Sequence, residues 1–340
     1  MGVRMETDPV LRAAIIGCGQ IAGACDEWTG PDEIYTHAKA YQLQRATNLV
    51  AVADVDERRA RAFSARWGHP APYADVSRML AVEAPDIVSI CTPDETHLAI
   101  LDLCLDARGL KAVWCEKPLA TEADAAEALV VEYERRGIVL AVNYQRRWDA
   151  LVGRVKAALE RGELGTVQKV VVYYSKGIAH NGSHALDLLL DWFGPSSNVQ
   201  VLGSHLDFTA DDPTVDALLR FGNVPVYLIG LDERAYGIFE LHLLGTRGRM
   251  SLTAFGREMQ WHVPQPDPRA PASQELGPPA SVTHDNHQRP ALAAALEDII
   301  AAIHCGQQVR SSGRSALATL KICRHLALQA AEGRIPTTSR

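Results

Sequence analysis

At 340 residues, with a formal net charge of −7 and 22% charged residues, the chain is long for one core, so two domains are expected. The acidic balance excludes a dedicated nucleic-acid binder; the one basic cluster, Arg58, Arg59 and Arg61, follows Asp54, Asp56 and Glu57 and reads as a solvated helix start. Seven cysteines without a Cys-x-x-Cys pair suit free thiols, "MGVRMETDPVLR" has no signal-like apolar core, and no apolar run spans a bilayer, so a soluble cytoplasmic protein is expected.

In chain order, "AAIIG" (13–17), "LVAVAD" (49–54), "DIVSICT" (86–92), "AVWCEKP" (112–118) and "IVLAVNY" (138–144) read as strands. Between them "DERRARAFSARWG", "VSRMLAV", "THLAILDLCLDARG" and "ATEADAAEALVVEYERRG" carry apolar residues at helical spacing, several with a glycine stop. Continuous apolar strands without alternation imply a sheet covered on both faces, hence parallel βαβ units. The expected first domain, residues 1–145, is therefore an α/β, doubly wound dinucleotide-binding (Rossmann-type) unit.

Beyond it the pattern changes. A helix near 148–161 precedes the long strand "TVQKVVVYYSKG", and a short helix at 182–193 is followed by strand-like runs at 198–208, 214–222, 224–231, 236–244, 248–255 and 258–263. Successive strands without intervening helices predict an open, mostly antiparallel sheet in a second α/β domain over 146–340. The proline-rich stretch 264–283 reads as a loop, and helices near 289–304 and 313–332 close the chain, with packing back on the first domain as one option.

"IIGCGQIAG" places Gly17 and Gly19, then Ala22 and Gly23 at the third small position, directly after a strand. In a dinucleotide-binding turn the first glycine makes the bend, the second admits the pyrophosphate, and the third allows helix–strand packing. Gly17, Gly19, Gln20, Ile21 and Ala22 are thus the expected phosphate-side contacts. Asp54, ending the second strand, would accept from a ribose 2′-hydroxyl and repel a 2′-phosphate, which favours NAD; Arg58 and Arg59 keep NADP open. Asp54 stands 37 positions after Gly17 (54 − 17), against the usual ~20. The excess is assigned to "CDEWTGPDEIYT" (25–36), an insertion interrupting the first helix, read either as a lid or as a surface loop, with the helix resuming at "THAKAYQLQ".

"SICTPDETH", "WCEKPLA" and "HNGSHALDLL", in that order behind the glycine turn, resemble the Gfo/Idh/MocA family of NAD(P)-dependent oxidoreductases. The likeness runs from residue 12 to about 330, and "EKP" is its most specific motif. It implies a Rossmann domain followed by an α/β domain with a large open sheet, packed through that sheet into homodimers or homotetramers. It also implies hydride transfer on a carbinol or ketone of a sugar, cyclitol or nucleotide-linked sugar. By position, Lys117 matches the catalytic lysine and His184 the histidine of an Asp-x-x-x-His pattern. Thr92, Pro93 and His97, with Glu116 beside Lys117, match the cofactor-lining segments. One departure stands out: where the pattern has an aspartate, this chain has His180. Asp187 matches an acidic position of the family.

Chemically, a lysine at the C-terminal end of a parallel strand can bond the reacting oxygen, and an imidazole titrates near working pH. If Asn181 or Ser183 caps the following helix, its positive end would favour a neutral His184. His184, Asp187 and Asp191 share one stripe of an otherwise apolar helix, which must face a cavity, an interface or satisfied partners. Metal ligation by His180, His184 and Asp187 is geometrically allowed, but hydride transfer needs no metal and none is expected. His180 then becomes a second proton-shuttling or substrate-binding group. Asn181, Asp187, Tyr144, Arg146 and Lys176 are candidate substrate contacts, with packing or solvated surface as their plain alternatives. Two other functions stay open: redox-assisted glycoside cleavage or elimination with tightly bound NAD, and a non-catalytic cofactor-binding regulator.

Overall fold

The apolar runs of the first third form a six-stranded parallel sheet in the computed structural model, which describes residues 9–27, 34–284 and 290–332. Its strands are β1 (Leu11–Ile16), β2 (Thr47–Ala53), β3 (Ala71–Tyr73), β4 (Ile87–Ile90), β5 (Ala112–Cys115) and β6 (Val139–Val142). Their order, β3-β2-β1-β4-β5-β6, reverses direction between β1 and β4, where such sheets open a ligand crevice at the strand carboxyl ends. The expected strand over 112–118 stops at Cys115, which leaves Glu116, Lys117 and Pro118 just past the sheet. Strand β3 has only three residues, too few to show a period, and was not expected.

Helices α1 (His37–Leu43), α2 (Glu57–Arg66), α3 (Val76–Glu83), α4 (His97–Leu105) and α5 (Ala123–Arg136) alternate with these strands. Asp56 and Asp75 accept from backbone amides at the starts of α2 and α3, and left-handed Gly137 stops α5.

The second sheet has eight strands. Helix α6 (Ala150–Glu160) leads into β7 (Val167–Ser175); α7 (Ser183–Phe193) is followed by β8 (Ser196–His205), β9 (Thr214–Phe221), β10 (Val224–Leu231), β11 (Phe239–Gly245) and β12 (Gly248–Thr253). The sheet ends in β13 (Glu258–Asp267) and β14 (Ala270–His284), in the order β14-β13-β12-β11-β7-β10-β9-β8. All pairings are antiparallel except β7 with β10. Alternation places Val170, Val172 and Tyr174 of β7 in one core with Leu186 and Leu189 of α7 and Val155 of α6. Each such buried side chain stabilises the fold by about 1.5–3 kcal/mol.

The proline-rich stretch 264–283 is not a loop but most of a hairpin. Strand β12 pairs with β13 only as far as His262, so Pro264 and Pro266 lie where one side of β13 has no partner strand. A proline there removes no ladder hydrogen bond, and three register shifts absorb the rest.

Two helices close the chain, α8 (Ala291–Cys305) and α9 (Gly313–Glu332). The chain divides into two units, Met1–Trp148 with Arg289–Leu317, and Asp149–Gln288 with Ala318–Arg340. In the first, Leu292, Ala295, Leu296 and Ile299 of α8 join Ala13, Ile15, Trp114 and Ala141 of the parallel sheet in one core. In the second, Cys323, Leu326 and Ala330 of α9 join the core of the open sheet. Among the described residues no helix is long and apolar enough to cross a membrane.

Candidate functional site

At the β1 end, Gly17 has φ +88°, and a Cβ there would lie 2.7 Å from the Cys91 carbonyl oxygen and 2.9 Å from Thr92 Cγ2. Only glycine fits, because the turn is left-handed and the ends of β1 and β4 nearly touch. Gly19 differs: an added Cβ meets no protein atom within 4 Å, which leaves its backbone open to an approaching group. At Gly23 a Cβ would press on Trp67 and Phe63 of the α2 region, so the third small position serves packing. These three roles are the ones a pyrophosphate-binding turn requires.

The helix expected after this turn is broken and then mended. Residues 20–23 form a turn and Ala24–Glu27 a 3-10 segment. The amides of His37 and Ala38 then donate to the carbonyls of Ile21 (3.1 Å) and Ala22 (2.9 Å). In an uninterrupted helix those acceptors would take residues 25 and 26. The register of the first helix therefore resumes in α1, after the inserted stretch 25–36, whose residues 28–33 lie outside the described residues.

Asp54 is buried at the end of β2. Its Oδ2 accepts from the Cys18 amide (2.9 Å) and its Oδ1 from the Asp56 amide (2.9 Å), so it braces the glycine turn from the neighbouring strand. Arg59 Nη1 stands 3.4 Å from both oxygens, tying one of the two arginines that kept NADP open to the acid itself. Burial, with Asp54's charge adding, pushes the Cys18 thiol up to about 12.

On the other side of the switch point, Thr96 Oγ1 donates to the Pro93 carbonyl (2.7 Å) and lies 2.7 Å from the Thr92 hydroxyl. His97, expected to line the cofactor, is buried, with Nδ1 2.8 Å from the Pro118 carbonyl and Nε2 3.0 Å from that of Thr92. Its ring ties the segment after β4 to the one after β5 instead of presenting a free edge. Tyr144, a candidate substrate contact, is 1% exposed and packs inside. Arg146 lies in the 3-10 segment Gln145–Trp148 and is half-buried.

Glu116 anchors a polar network that the sequence did not announce. Its Oε1 accepts from His37 Nε2 (2.9 Å) and from Asn143 Nδ2 (2.6 Å). His37 Nδ1 lies 2.9 Å from Ser89 Oγ, which lies 2.7 Å from the Tyr41 hydroxyl. Trp114 Nε1 donates to Asn143 Oδ1 (3.3 Å), and the His37 and Trp114 rings pack at 3.9 Å. Burial alone would raise the Glu116 carboxyl; bonds from His37 and Asn143 and the charge of Lys117 outweigh it and hold it below the usual carboxylate range. The available signal was register. With 25–36 looped out, His37 takes the place of the residue one turn after Ile21.

In the second unit, "HNGSHALD" begins in a π-turn, Gly177–Gly182, that runs directly into α7. Neither expected residue caps it. Asn181 Nδ2 donates to the Ser175 carbonyl (3.0 Å), and Ser183 Oγ is buried without a hydrogen-bond partner among the described residues. Asp212, from the β8–β9 connection, accepts instead from the amides of Ala179 and His180, both at 2.8 Å. The acid stands next to His180 in space, 32 positions away in sequence, and capping at 179–180 removes the helix-end basis for a neutral His184.

His180 is exposed, its ring 4.7 Å from that of Phe208, and Lys176 Nζ sits 4.9 Å over the same phenyl ring. His184 is 8% exposed and meets Phe239 edge-on at 6.5 Å. Of the stripe's two acids, Asp187 is buried and accepts from Thr319 Oγ1 (3.3 Å), and Asp191 pairs with Lys156 (2.9 Å). Both are engaged by other helices of this unit, the alternative that the polar stripe left open beside a ligand-facing role. Asp207 accepts from the amides of Lys176 (3.2 Å) and Glu233 (2.9 Å) and from Thr214 Oγ1 (2.7 Å); together these outweigh burial and lower its carboxyl. Among the described residues no cluster of three His, Cys, Asp or Glu side chains is arranged to hold a metal ion.

A doubly wound sheet with a glycine turn and strand-end acid, followed by a unit with an open sheet, defines a two-unit dinucleotide-binding α/β protein. Residues 11–144 match the Gfo/Idh/MocA family model, described as an oxidoreductase family with an NAD-binding Rossmann fold. It is 31% identical over 156 residues to a D-apiose dehydrogenase of Paraburkholderia graminis, a match covering 46% of this chain and 38% of that protein. An inositol 2-dehydrogenase of Rhizobium meliloti is 26% identical over 351 residues, covering 92% of this chain and 94% of its own length. The WlbA dehydrogenase from Bordetella pertussis, solved with NADH and UDP-GlcNAcA, superposes with a TM-score of 0.74 at 21% identity, covering 96% and 98% of the two chains, and shares the fold.

Proposed function

We propose that this chain is an NAD-dependent oxidoreductase acting on a carbinol or ketone of a sugar, cyclitol or nucleotide-linked sugar, with Lys117 and His184 in proton transfer. The observation that carries the reading is the strand-end arrangement of the first unit: a glycine-only turn at Gly17, an open backbone at Gly19, and Asp54 braced beside them. These residues fit a dinucleotide. Gly17, Gly19, Gln20, Ile21 and Ala22 would hold its pyrophosphate, Asp54 its ribose, and Thr92, Pro93 and Glu116 its nicotinamide half. The bound nicotinamide supplies the hydride acceptor or donor. Lys117 would hydrogen-bond the reacting oxygen and stabilise charge developing there. His184 would take or return the hydroxyl proton. His180, Lys176, Asn181 and Arg146 are assigned to substrate binding, the first two flanking the exposed Phe208 ring.

Asp54 favours NAD over NADP, since a buried carboxylate at the ribose position repels a 2′-phosphate and Arg59 is already tied to it. Names of relatives support the substrate class: D-apiose, inositol and a UDP-linked sugar all present ring or carbinol hydroxyls. Assembly through the open sheet belongs to the same reading. Val171, Tyr173, Tyr227, Ile229 and His242 alternate with the core-facing residues and are half-buried. The test is turnover: purified protein with NAD and a panel of sugars, cyclitols and nucleotide sugars should change nicotinamide absorbance with at least one. A panel without turnover in either direction would sink the reading.

A further inference from the structure

We propose that His37 is a positioning residue for Lys117, holding Glu116 as a fixed anion beside it through a one-way chain of hydrogen bonds from Tyr41 and Ser89. The inference rests on Lys117 being the proton-transfer group of the proposed oxidoreductase.

The direction of the chain follows from what each group can donate. A carboxylate only accepts, so the His37 Nε2 that stands 2.9 Å from Glu116 Oε1 carries a hydrogen. With the imidazole neutral, His37 Nδ1, 2.9 Å from Ser89 Oγ, accepts the serine hydrogen, which leaves Ser89 Oγ to accept from the Tyr41 hydroxyl at 2.7 Å. The bonds of the chain thereby run in one consistent sense, inside a site where an unmade bond would be costly. The His37 side chain is 0% exposed and that of Glu116 14%, so water competes little for these bonds.

Position is fixed from three sides. The His37 ring packs at 3.9 Å on Trp114 of β5, and its backbone amide closes the interrupted helix on Ile21 at 3.1 Å. One residue thus joins the glycine turn to the acid next to Lys117. Asn143, from the end of β6, supplies the second donor to the same carboxylate oxygen. The other titratable groups around the chain do not compete for charge. Burial raises the Cys91 and Cys115 thiols well above their ordinary range and raises the Tyr41 phenol, while Asp298 of α8 is engaged by Trp148 and the Arg310 amide. The charges adjacent in the chain are therefore those of Glu116 and Lys117, with His37 holding the acid in place.

Without its donor Glu116 would stay ionised at the pH where a lysine titrates but lose its fixed place, and the attraction that favours charged Lys117 would weaken with distance. The test titrates Lys117 directly in the full-length protein and needs no substrate. Lysines are 13C-methylated, the Lys117 signal is assigned by its loss in Lys117→Arg, and its midpoint is followed by NMR. Glu116→Gln should lower that midpoint by about one pH unit, and His37→Ala by part of that amount. Ser89→Ala should lower it by a smaller amount, and Glu116→Gln combined with His37→Ala should add nothing further. A Lys117 midpoint unchanged in folded His37→Ala or, should that variant not fold, in Ser89→Ala overturns the proposal. If the wild-type protein turns over no sugar but the midpoint shifts as described, the oxidoreductase reading fails and the positioning role stands.

Discussion

The glycine turn and the histidine stretch hold their functional residues in opposite ways. At the turn the constraint is local and steric: Gly17 bends where a Cβ would strike Cys91, and Asp54 reaches back from the next strand. At "HNGSHALD" the constraint comes from afar, with Asp212 capping Ala179 and His180 and Asp207 fastening Lys176 and Glu233. A site braced by its own strand ends can be read from spacing, whereas one braced by distant loops cannot.

The largest effect that would sharpen this contrast is chemical. Lys117→Ala should lower kcat by about 10²–10⁴-fold while NADH affinity, measured by nicotinamide fluorescence, stays within a factor of a few. Equal losses in binding and turnover would place Lys117 in the cofactor site instead. Next come the two glycines. Gly17→Ala should destabilise the protein by about 1–3 kcal/mol in denaturant melts, through a positive φ and a clash with backbone. Gly19→Ala should leave the melt unchanged and weaken NADH binding tenfold or more, because its added methyl meets only the ligand's space. A Gly19→Ala protein that binds normally would break the assignment of that opening.

Asp212→Ala should cost about 1 kcal/mol by exposing two helix-start amides, with NADH affinity unaltered; a cofactor effect would show that the two regions are not independently braced. The smallest effect is on acid stability. Glu116 has a folded pKa below its ordinary value, ~4.3, so its stabilising contribution is fully present above that pH and lost as pH falls through the folded value. Glu116→Gln should flatten that part of the stability–pH curve, and an unaltered acid limb would remove Glu116 from the account.

Much of the first unit was legible because its signals are short-range. Strand hydrophobicity, the glycine spacing and an acid at a strand end all report contacts made within or next to one βα turn. Even the interruption at 25–36 could be bracketed, since a helix must resume in register, and His37 and Ala38 do so on Ile21 and Ala22. His37 itself was missed because a histidine at a helix start has no pattern pointing to an acid 79 positions away. The partner of Asp187 was illegible for a related reason: a polar stripe reads the same whether it faces a ligand or Thr319. The hairpin over 258–284 hid behind its prolines, which are tolerated where β12 no longer runs beside β13.

The central proposal is that the glycine turn after β1 holds the cofactor's pyrophosphate while Lys117, past the end of β5, serves the proton chemistry. Its most direct test is a single-turnover measurement on Lys117→Ala with saturating NAD and the best substrate of the panel. The account predicts full cofactor occupancy with hydride transfer slowed by at least two orders of magnitude. Hydride transfer at the wild-type rate would contradict it.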